Sequence, residues 1–298
     1  MQSPNPNAPP VLPMTRKRFL GICEVSGGVF LDAGRIAVAS DESNVLRVYN
    51  LANPALESSV SLVAALGYDK SDLEDGAVGD GVVYWTASQA MNSKGKDTKR
   101  RVVFAMPIVT LNGKATLAPP TIVRQDFKPD LMRLSGSTPE TINVEGMTTT
   151  PNGGLMFGFR NLADWRAALV TLKNAAQVLS DPAAAPDFTA TARLDLGGRG
   201  IRSLERVGTR YLISAGKPND ATEIGFALFW WDGDPGQTPQ LWTNQPDFND
   251  FDPEVLLATP DRTGVLILSD DGNRCPKVDL EDPPSNQRGF QTMQVPWP

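Results

Sequence analysis

Five segments of the chain repeat one pattern of apolar and polar positions. Each starts with a short polar stretch containing a glutamate, runs through an apolar strand, turns at Gly, Asp or Asn, and enters a second apolar strand. The five predicted hairpins span residues 23–42, 72–88, 143–161, 203–216 and 252–271. Short apolar runs bounded by turn residues are typical of β-strands, so the pattern predicts an all-β protein.

Further strands are predicted after each hairpin, which extends the repeat to four strands. Third strands are predicted at 45–51, 101–108, 167–172, 225–231 and 290–295, and fourth strands at 61–66, 121–127, 191–196 and 239–244. The fifth repeat lacks a fourth strand, and the β-prone segment 17–22 is free to supply it. The sequence therefore predicts a five-bladed β-propeller that is closed by an N-terminal strand in the last blade.

One glutamate occurs near the start of each repeat. These residues are Glu24, Glu74, Glu145, Glu205 and Glu254. A β-sandwich of similar strand content is the alternative fold, but it gives no reason for an acid to recur at one position of successive hairpins. In a propeller, equivalent positions of the first strands face one central channel.

Length and composition indicate one globular domain. The chain has 298 residues, of which 41% are hydrophobic and 21% charged. Residues 1–16 include five prolines in a short stretch and are predicted to be an extended linker, and 17–298 to be a single propeller domain. We expect a monomer. We also expect no membrane insertion, because no apolar run is long enough to span a bilayer.

Charge and residue usage exclude several function classes. The net charge is −6, which disfavours a nucleic-acid partner and an anionic membrane. The chain contains no histidine, which excludes a Ser-His-Asp triad, a histidine base and imidazole zinc sites.

The two cysteines, Cys23 and Cys275, lie near opposite ends of the sequence. In a closed ring their loops lie on the same face of adjacent blades, so a disulfide is feasible; two free buried thiols are the alternative. A disulfide and a proline-rich N-terminal segment of the kind that follows a removed signal predict a secreted or periplasmic bacterial protein.

Five glutamates in one channel predict a cation site. Close carboxylates repel one another unless they are protonated, solvated or bridged by a cation, and a hard cation with oxygen ligands fits them best. We therefore expect Ca²⁺, or alternatively Mg²⁺, on at least three of the five. The alternatives are pairing with arginines or backbone amides, and direct contact with a substrate.

Other polar residues are predicted to surround the channel mouth and bind a ligand. Some precede the glutamates, some end the second strands, and others are basic residues in the adjoining loops. They are Asp41, Asp72, Ser88, Lys94, Arg160, Asn161, Arg199, Arg202, Asp252 and Asp270. Arginines and lysines above a cation suit a small anionic molecule; alternatively they only neutralise the acidic ring.

Several motifs resemble a bacterial family known as domain of unknown function 3616. They are DLEDGAVGDGVVYW at 72–85, NSKGK at 92–96, GFRN at 158–161 and LDLGGRGIRSLE at 194–205. The resemblance covers most of residues 20–275 and implies no known activity. Family members tend to carry Ser-His where this chain has Ser88 and Gln89.

The layout is also similar to that of the calcium-activated nucleotidases (apyrases), five-bladed propellers with a central Ca²⁺. Two functions follow as hypotheses. One is a metal-dependent hydrolase of an anionic, phosphate-ester-like substrate, in which a ring carboxylate acts as base. The other is a non-catalytic ligand- or protein-binding module that holds a structural Ca²⁺.

Overall fold

The computed structural model describes residues 14–162, 164–275 and 287–297. Their strands form five antiparallel sheets that follow one another in chain order, and the first strand of each packs against those of its neighbours. The protein is therefore a five-bladed β-propeller, as predicted.

Strand β1 (Thr15–Leu20) precedes the first complete blade. Blade I contains β2 (Gly27–Asp32), β3 (Arg35–Ser40), β4 (Ser43–Asn50) and β5 (Leu56–Ser61). Blade II contains β6 (Leu73–Gly79), β7 (Val82–Ala87), β8 (Val103–Leu111), β9 (Lys114–Leu117) and β10 (Val123–Arg124). Blade III contains β11 (Val144–Thr149), β12 (Leu155–Phe159), β13 (Ala167–Leu172) and β14 (Phe188–Leu194). Blade IV contains β15 (Gly200–Val207), β16 (Arg210–Gly216), β17 (Ala227–Trp231) and β18 (Gln240–Leu241), and blade V contains β19 (Pro253–Ala258), β20 (Gly264–Ser269) and β21 (Gly289–Pro296).

The N-terminal strand closes the ring. Strand β1 pairs antiparallel with β21, from Thr15 opposite Gln294 to Leu20 opposite Gly289, and so becomes the outermost strand of blade V. The predicted closure is confirmed, with the strand two residues earlier than the predicted 17–22. The predicted boundary between linker and domain at residue 16 thus falls inside a strand, and residues 1–13 lie outside the described residues.

Aromatic side chains fix the seam between blades I and V. Phe19, Tyr49 and Phe290 are almost fully buried, and their ring centroids lie 5.3–5.6 Å apart. Burying each such ring contributes about 1.5–3 kcal/mol, so β1 stabilises the seam through packing as well as through its hydrogen bonds.

Three α-helices lie outside the blades in the described ranges. They are α1 (Val63–Leu66), α2 (Lys128–Ser135) and α3 (Ala175–Val178). The prediction of a strand at 61–66 is wrong: the fourth strand of blade I is β5, and the Val-Ala-Ala-Leu segment forms α1, which ends at Gly67 with a φ of 77°. In the part of the chain that the structure describes, no helix is long and apolar enough to cross a membrane.

Cys23 and Cys275 form a disulfide with a Cα–Cα distance of 5.8 Å, which confirms the predicted pairing. The bond links the segment between β1 and β2 to the connection that follows β20 in blade V. Such a disulfide is compatible with a secreted or periplasmic protein. The location itself stays a prediction.

Four inner strands carry a β-bulge at the same height in the channel. The register shifts at Glu74 in β6, Glu145 in β11, Arg202 in β15 and Glu254 in β19. A bulge adds one residue to a strand and re-aims its side chain. In blade I the corresponding position is Ser26, whose N–H donates to the carbonyl of Ala39 just before β2.

Candidate functional site

A polar cavity of about 360 Å³ opens where the inner strands begin, and we call it the mouth of the channel. The four bulge residues and Ser26 all line it. Its acidic residues are Asp41, Asp72, Glu74, Glu145, Glu254 and Asp270, and its basic residues are Arg100, Arg160 and Arg202. Six carboxylates thus face three guanidinium groups.

Arg202 is shared by two glutamates. Its Nη1 atom lies 2.7 Å from Glu145 Oε2, and its Nε atom donates to Glu254 Oε2 at 3.0 Å. Burial acts to lower the pKa of Arg202, but Glu145 and Glu254 outweigh it and raise that pKa above its ordinary value. Because one guanidinium serves two carboxylates, burial still raises the pKa of Glu254 to about 7.

Glu145 has further donors besides Arg202. Its Oε1 atom accepts a hydrogen bond from Asn143 Nδ2 at 2.7 Å and one from Arg160 Nη1 at 3.1 Å. Arg160 also pairs with Asp220 at 3.0 Å outside the mouth. Two arginines and one amide therefore hold the Glu145 carboxylate in place.

A second ion pair lies on the blade II side of the mouth. Asp72 Oδ2 is 2.8 Å from Arg100 Nη1 and 2.5 Å from Ser88 Oγ, which donates to it. Burial raises the pKa of Asp72 in spite of these two partners. Ser88 is buried beneath Asp72 and supports it without lining the mouth.

Three carboxylates of the mouth have no cationic partner. Among the described residues, Asp41 and Glu74 make neither a side-chain hydrogen bond nor an ion pair, and Asp270 accepts only the N–H of Gly272 at 2.8 Å. Burial, reinforced by Glu42, raises the pKa of Asp41 to about 7. Burial raises the pKa of Asp270 to about 6. Burial and the neighbouring Glu145 raise the pKa of Glu74 well above its ordinary value.

The predicted ring of five glutamates does not form. Glu24 precedes the Ser26 position by two residues and lies at the rim, where its side chain lies close against Gly272. Glu205 follows the bulge of β15 by three residues and lines a separate cavity of about 210 Å³ farther along the channel, where its Oε1 atom accepts the N–H of Ala258 at 2.9 Å. Burial raises the pKa of Glu205 to about 7. The reason for both differences is a shift of register between repeats.

The predicted ligand-binding residues divide into two groups. Asp41, Asp72, Arg160, Arg202 and Asp270 come together at the mouth. The others lie apart from it. Asp252 pairs with Arg274, and Asn161 Nδ2 donates to the carbonyl of Thr141. Arg199 Nε donates to the carbonyl of Gly225, and Lys94 is exposed on a loop.

Sequence reasoning missed Ser26 and Arg100. Ser26 sits where the other repeats have a charged residue, and its Oγ atom donates to the carbonyl of Leu73 at 2.6 Å. Arg100 ends a short 3-10 helix after the second hairpin and pairs with Asp72, much as Arg274 ends one after the fifth hairpin and pairs with Asp252. Aligning the repeats on their apolar strands instead of their glutamates would have found Ser26 and the Arg202 bulge.

The acidic residues are not already arranged around an ion. Within the described ranges, no group of three or more His, Cys, Asp or Glu side chains stands close enough to hold one. The Ca²⁺ or Mg²⁺ predicted from the sequence therefore stays a prediction.

No known family model matches the chain, and neither does any curated protein. The resemblances to domain of unknown function 3616 and to the apyrases thus stay predictions. Solved structures share the fold at low identity. A chain of a nidogen–laminin complex is 11% identical, with 82% of this chain and 72% of that chain covered and a TM-score of 0.48. A luciferin-regenerating enzyme is 7% identical, with 95% of each chain covered and a TM-score of 0.46.

A third similar structure is the PQQ-bound aldose sugar dehydrogenase from Streptomyces coelicolor. It is 11% identical, with 96% of this chain and 99% of that chain covered and a TM-score of 0.45. Similarity at this level concerns the fold alone, because one fold hosts many functions.

Proposed function

We propose that this propeller binds a small polar ligand at the channel mouth, and that a hard divalent cation, Ca²⁺ ahead of Mg²⁺, is held there by Asp41, Glu74 and Asp270. The observation that carries the proposal is that these three carboxylates have no cationic partner among the described residues, while their neighbours Asp72, Glu145 and Glu254 are paired with arginines. Uncompensated carboxylates in a partly buried cavity are relieved by a cation. Binding would require the three side chains to turn toward one another.

The bound cation would face the arginine side of the mouth. Arg100 and Arg160 line the same cavity, so an anionic molecule could contact the ion and a guanidinium together. This arrangement supports a small carboxylate or phosphate ester as the ligand. The ligand that we propose is anionic, as expected from the sequence. The cation, however, is proposed at one side of the mouth and not in a ring of five glutamates.

The test is Ca²⁺ titration by calorimetry at about pH 8, which lies above the pKa values of about 7 for Asp41 and about 6 for Asp270. Glu74→Gln should abolish Ca²⁺ binding, whereas Glu205→Gln, which alters a buried glutamate outside the mouth, should bind Ca²⁺ like the wild type. Without Ca²⁺, Glu74→Gln should raise the melting temperature, because burial and the neighbouring Glu145 oppose a charge on Glu74. Absence of Ca²⁺ binding by the wild type, or equal loss in both variants, would refute the proposal.

A metal-dependent hydrolase is the second candidate function, and one observation favours it. Asp41 lines the mouth, forms no ion pair with a described residue, and burial raises its pKa to about 7, which suits a general base near neutral pH. In this candidate Asp41 is the base and not a ligand, and Glu74 and Asp270 would hold the cation. A panel of phosphate esters and lactones with Ca²⁺ tests this candidate. Asp41→Asn should remove any turnover, while Asp252→Asn, outside the mouth, should keep it; turnover that survives Asp41→Asn would exclude Asp41 as the base.

A further inference from the structure

A basic groove of about 280 Å³ adjoins the mouth on the blade II side. It is lined by Lys70, Asp72, Asn92, Lys96, Thr98, Lys99 and Arg100. Asp72 and Arg100 also line the mouth, so the two cavities share a wall. The groove therefore offers positive charge next to an acidic cavity.

Ion pairs within the groove leave two lysines uncompensated. Lys70 pairs with Glu42 at 2.5 Å, and Arg100 with Asp72 at 2.8 Å. Lys96 has no ion pair with a described residue, and Lys99 only stacks its ammonium on the Tyr68 ring, 5.0 Å from the centroid. Two positive charges thus remain for a ligand.

The backbone around these lysines is held by hydrogen bonds. Asn92 Oδ1 accepts the N–H of Lys94 at 2.9 Å and that of Lys96 at 3.0 Å, and the Asn92 N–H donates to the carbonyl of Lys96 at 2.8 Å. The Gln89 N–H donates to the carbonyl of Arg100 at 2.8 Å, which ties the other end of the loop to the blade. An ordered loop loses less entropy when it binds a ligand.

We propose that this groove is a subsite for a doubly charged oxyanion, either free phosphate or the phosphoryl group of a phosphate monoester. Two lysine ammonium groups match the two negative charges, and the Thr98 hydroxyl and the Asn92 amide are further donors to phosphate oxygens. Since the groove shares Asp72 and Arg100 with the mouth, the organic part of a monoester bound here reaches toward the mouth. The subsite goes beyond the cation proposed for the mouth and does not require it.

Titration of inorganic phosphate and of phenyl phosphate tests the subsite, in low-salt buffer with EDTA so that no divalent cation takes part. The double variant Lys96→Ala/Lys99→Ala should bind phosphate at least about tenfold more weakly than the wild type, because charge-assisted hydrogen bonds are lost. Both lysines are exposed, so the fold should persist, and circular dichroism checks this. Lys94→Ala is the matched control, since Lys94 belongs to the same loop but does not line the groove.

Each outcome of these two titrations either supports or overturns the phosphate subsite. Binding of both probes assigns the groove to a phosphate monoester, and binding of inorganic phosphate alone assigns it to the free ion. Wild-type affinity in the double variant, an equal loss in Lys94→Ala, or no binding of either probe by the wild type overturns the subsite. Because EDTA removes Ca²⁺, failure here is distinct from failure of the cation proposed for the mouth.

Discussion

The guanidinium of Arg202 lies between Glu145 and Glu254, with Nη1 2.7 Å from Glu145 Oε2 and Nε 3.0 Å from Glu254 Oε2. An arginine of the protein thus provides the positive charge that the repeated glutamates led us to expect from a metal ion. The cation that we propose is therefore confined to the side of the mouth that Arg202 does not neutralise.

Replacing Arg202 should destabilise the protein strongly. Arg202→Met leaves Glu254 buried without a cationic partner among the described residues and Glu145 with Arg160 alone. Loss of one member of a buried ion pair costs about 3–5 kcal/mol. Urea denaturation at neutral pH measures the change. Arg166→Met, which removes an exposed ion pair with Asp164, should cost less than about 1 kcal/mol. Similar losses for both variants would contradict a central role for the Arg202 contacts.

The free energy of unfolding should fall as the pH rises from about 5 to about 8 in EDTA. The pKa values of Asp41 and Asp270 are about 7 and about 6 in the folded protein and lie near 4 in an unfolded chain. Between those values the folded state binds more protons, so the stabilisation present at low pH is lost as the pH rises.

Two variants check the source of this pH dependence. Asp41→Asn should flatten the fall, whereas Asp250→Asn, on an exposed loop, should leave it unchanged. Urea unfolding at several pH values gives the comparison. A free energy of unfolding that increases across this pH range would show that cationic partners compensate the charges of the mouth carboxylates.

Loss of the disulfide should lower stability without changing the blades. Cys23 and Cys275 are 252 residues apart, and chain entropy then assigns the bond up to about 5 kcal/mol. We expect Cys23→Ser/Cys275→Ser to unfold at lower urea concentration than the wild type, and dithiothreitol to bring the wild type to the level of the variant. An unchanged midpoint after reduction would count against this stabilisation.

Removal of the closing strand should open the ring. Deletion of residues 1–22 removes β1 and Phe19, whereas deletion of 1–13 leaves β1 intact. The longer deletion should lower the melting temperature far more than the shorter one. If the longer deletion yields no folded protein, Phe19→Ala provides the measurement, with an expected loss of about 3–5 kcal/mol. Equal melting temperatures for the two truncations would argue against closure by β1.

The sequence predicts the blades well because apolar alternation, turn residues and chain order are local signals. Closure and the disulfide follow from them, since a ring brings Cys23 and Cys275 to one seam. The channel residues depend instead on where each inner strand inserts its bulge. Glu205 shares its local sequence pattern with the other glutamates, yet β15 begins at Gly200 and places Arg202 at the bulge. Arg100 reaches the mouth from a short 3-10 helix, Thr98–Arg100, in the connection between β7 and β8, and the apolar alternation of the strands does not encode such a connection.

The closing strand also bears on how the protein is made. Thr292 Oγ donates to the carbonyl of Lys17, 275 residues earlier in the chain. During synthesis β1 leaves the ribosome long before β21, so it has to wait without its partner while four blades emerge and fold. The disulfide joins residues 252 apart, so it can form only after Cys275 has been synthesised. We infer that closure of the ring is a late step of folding, in which β21 joins the first strand.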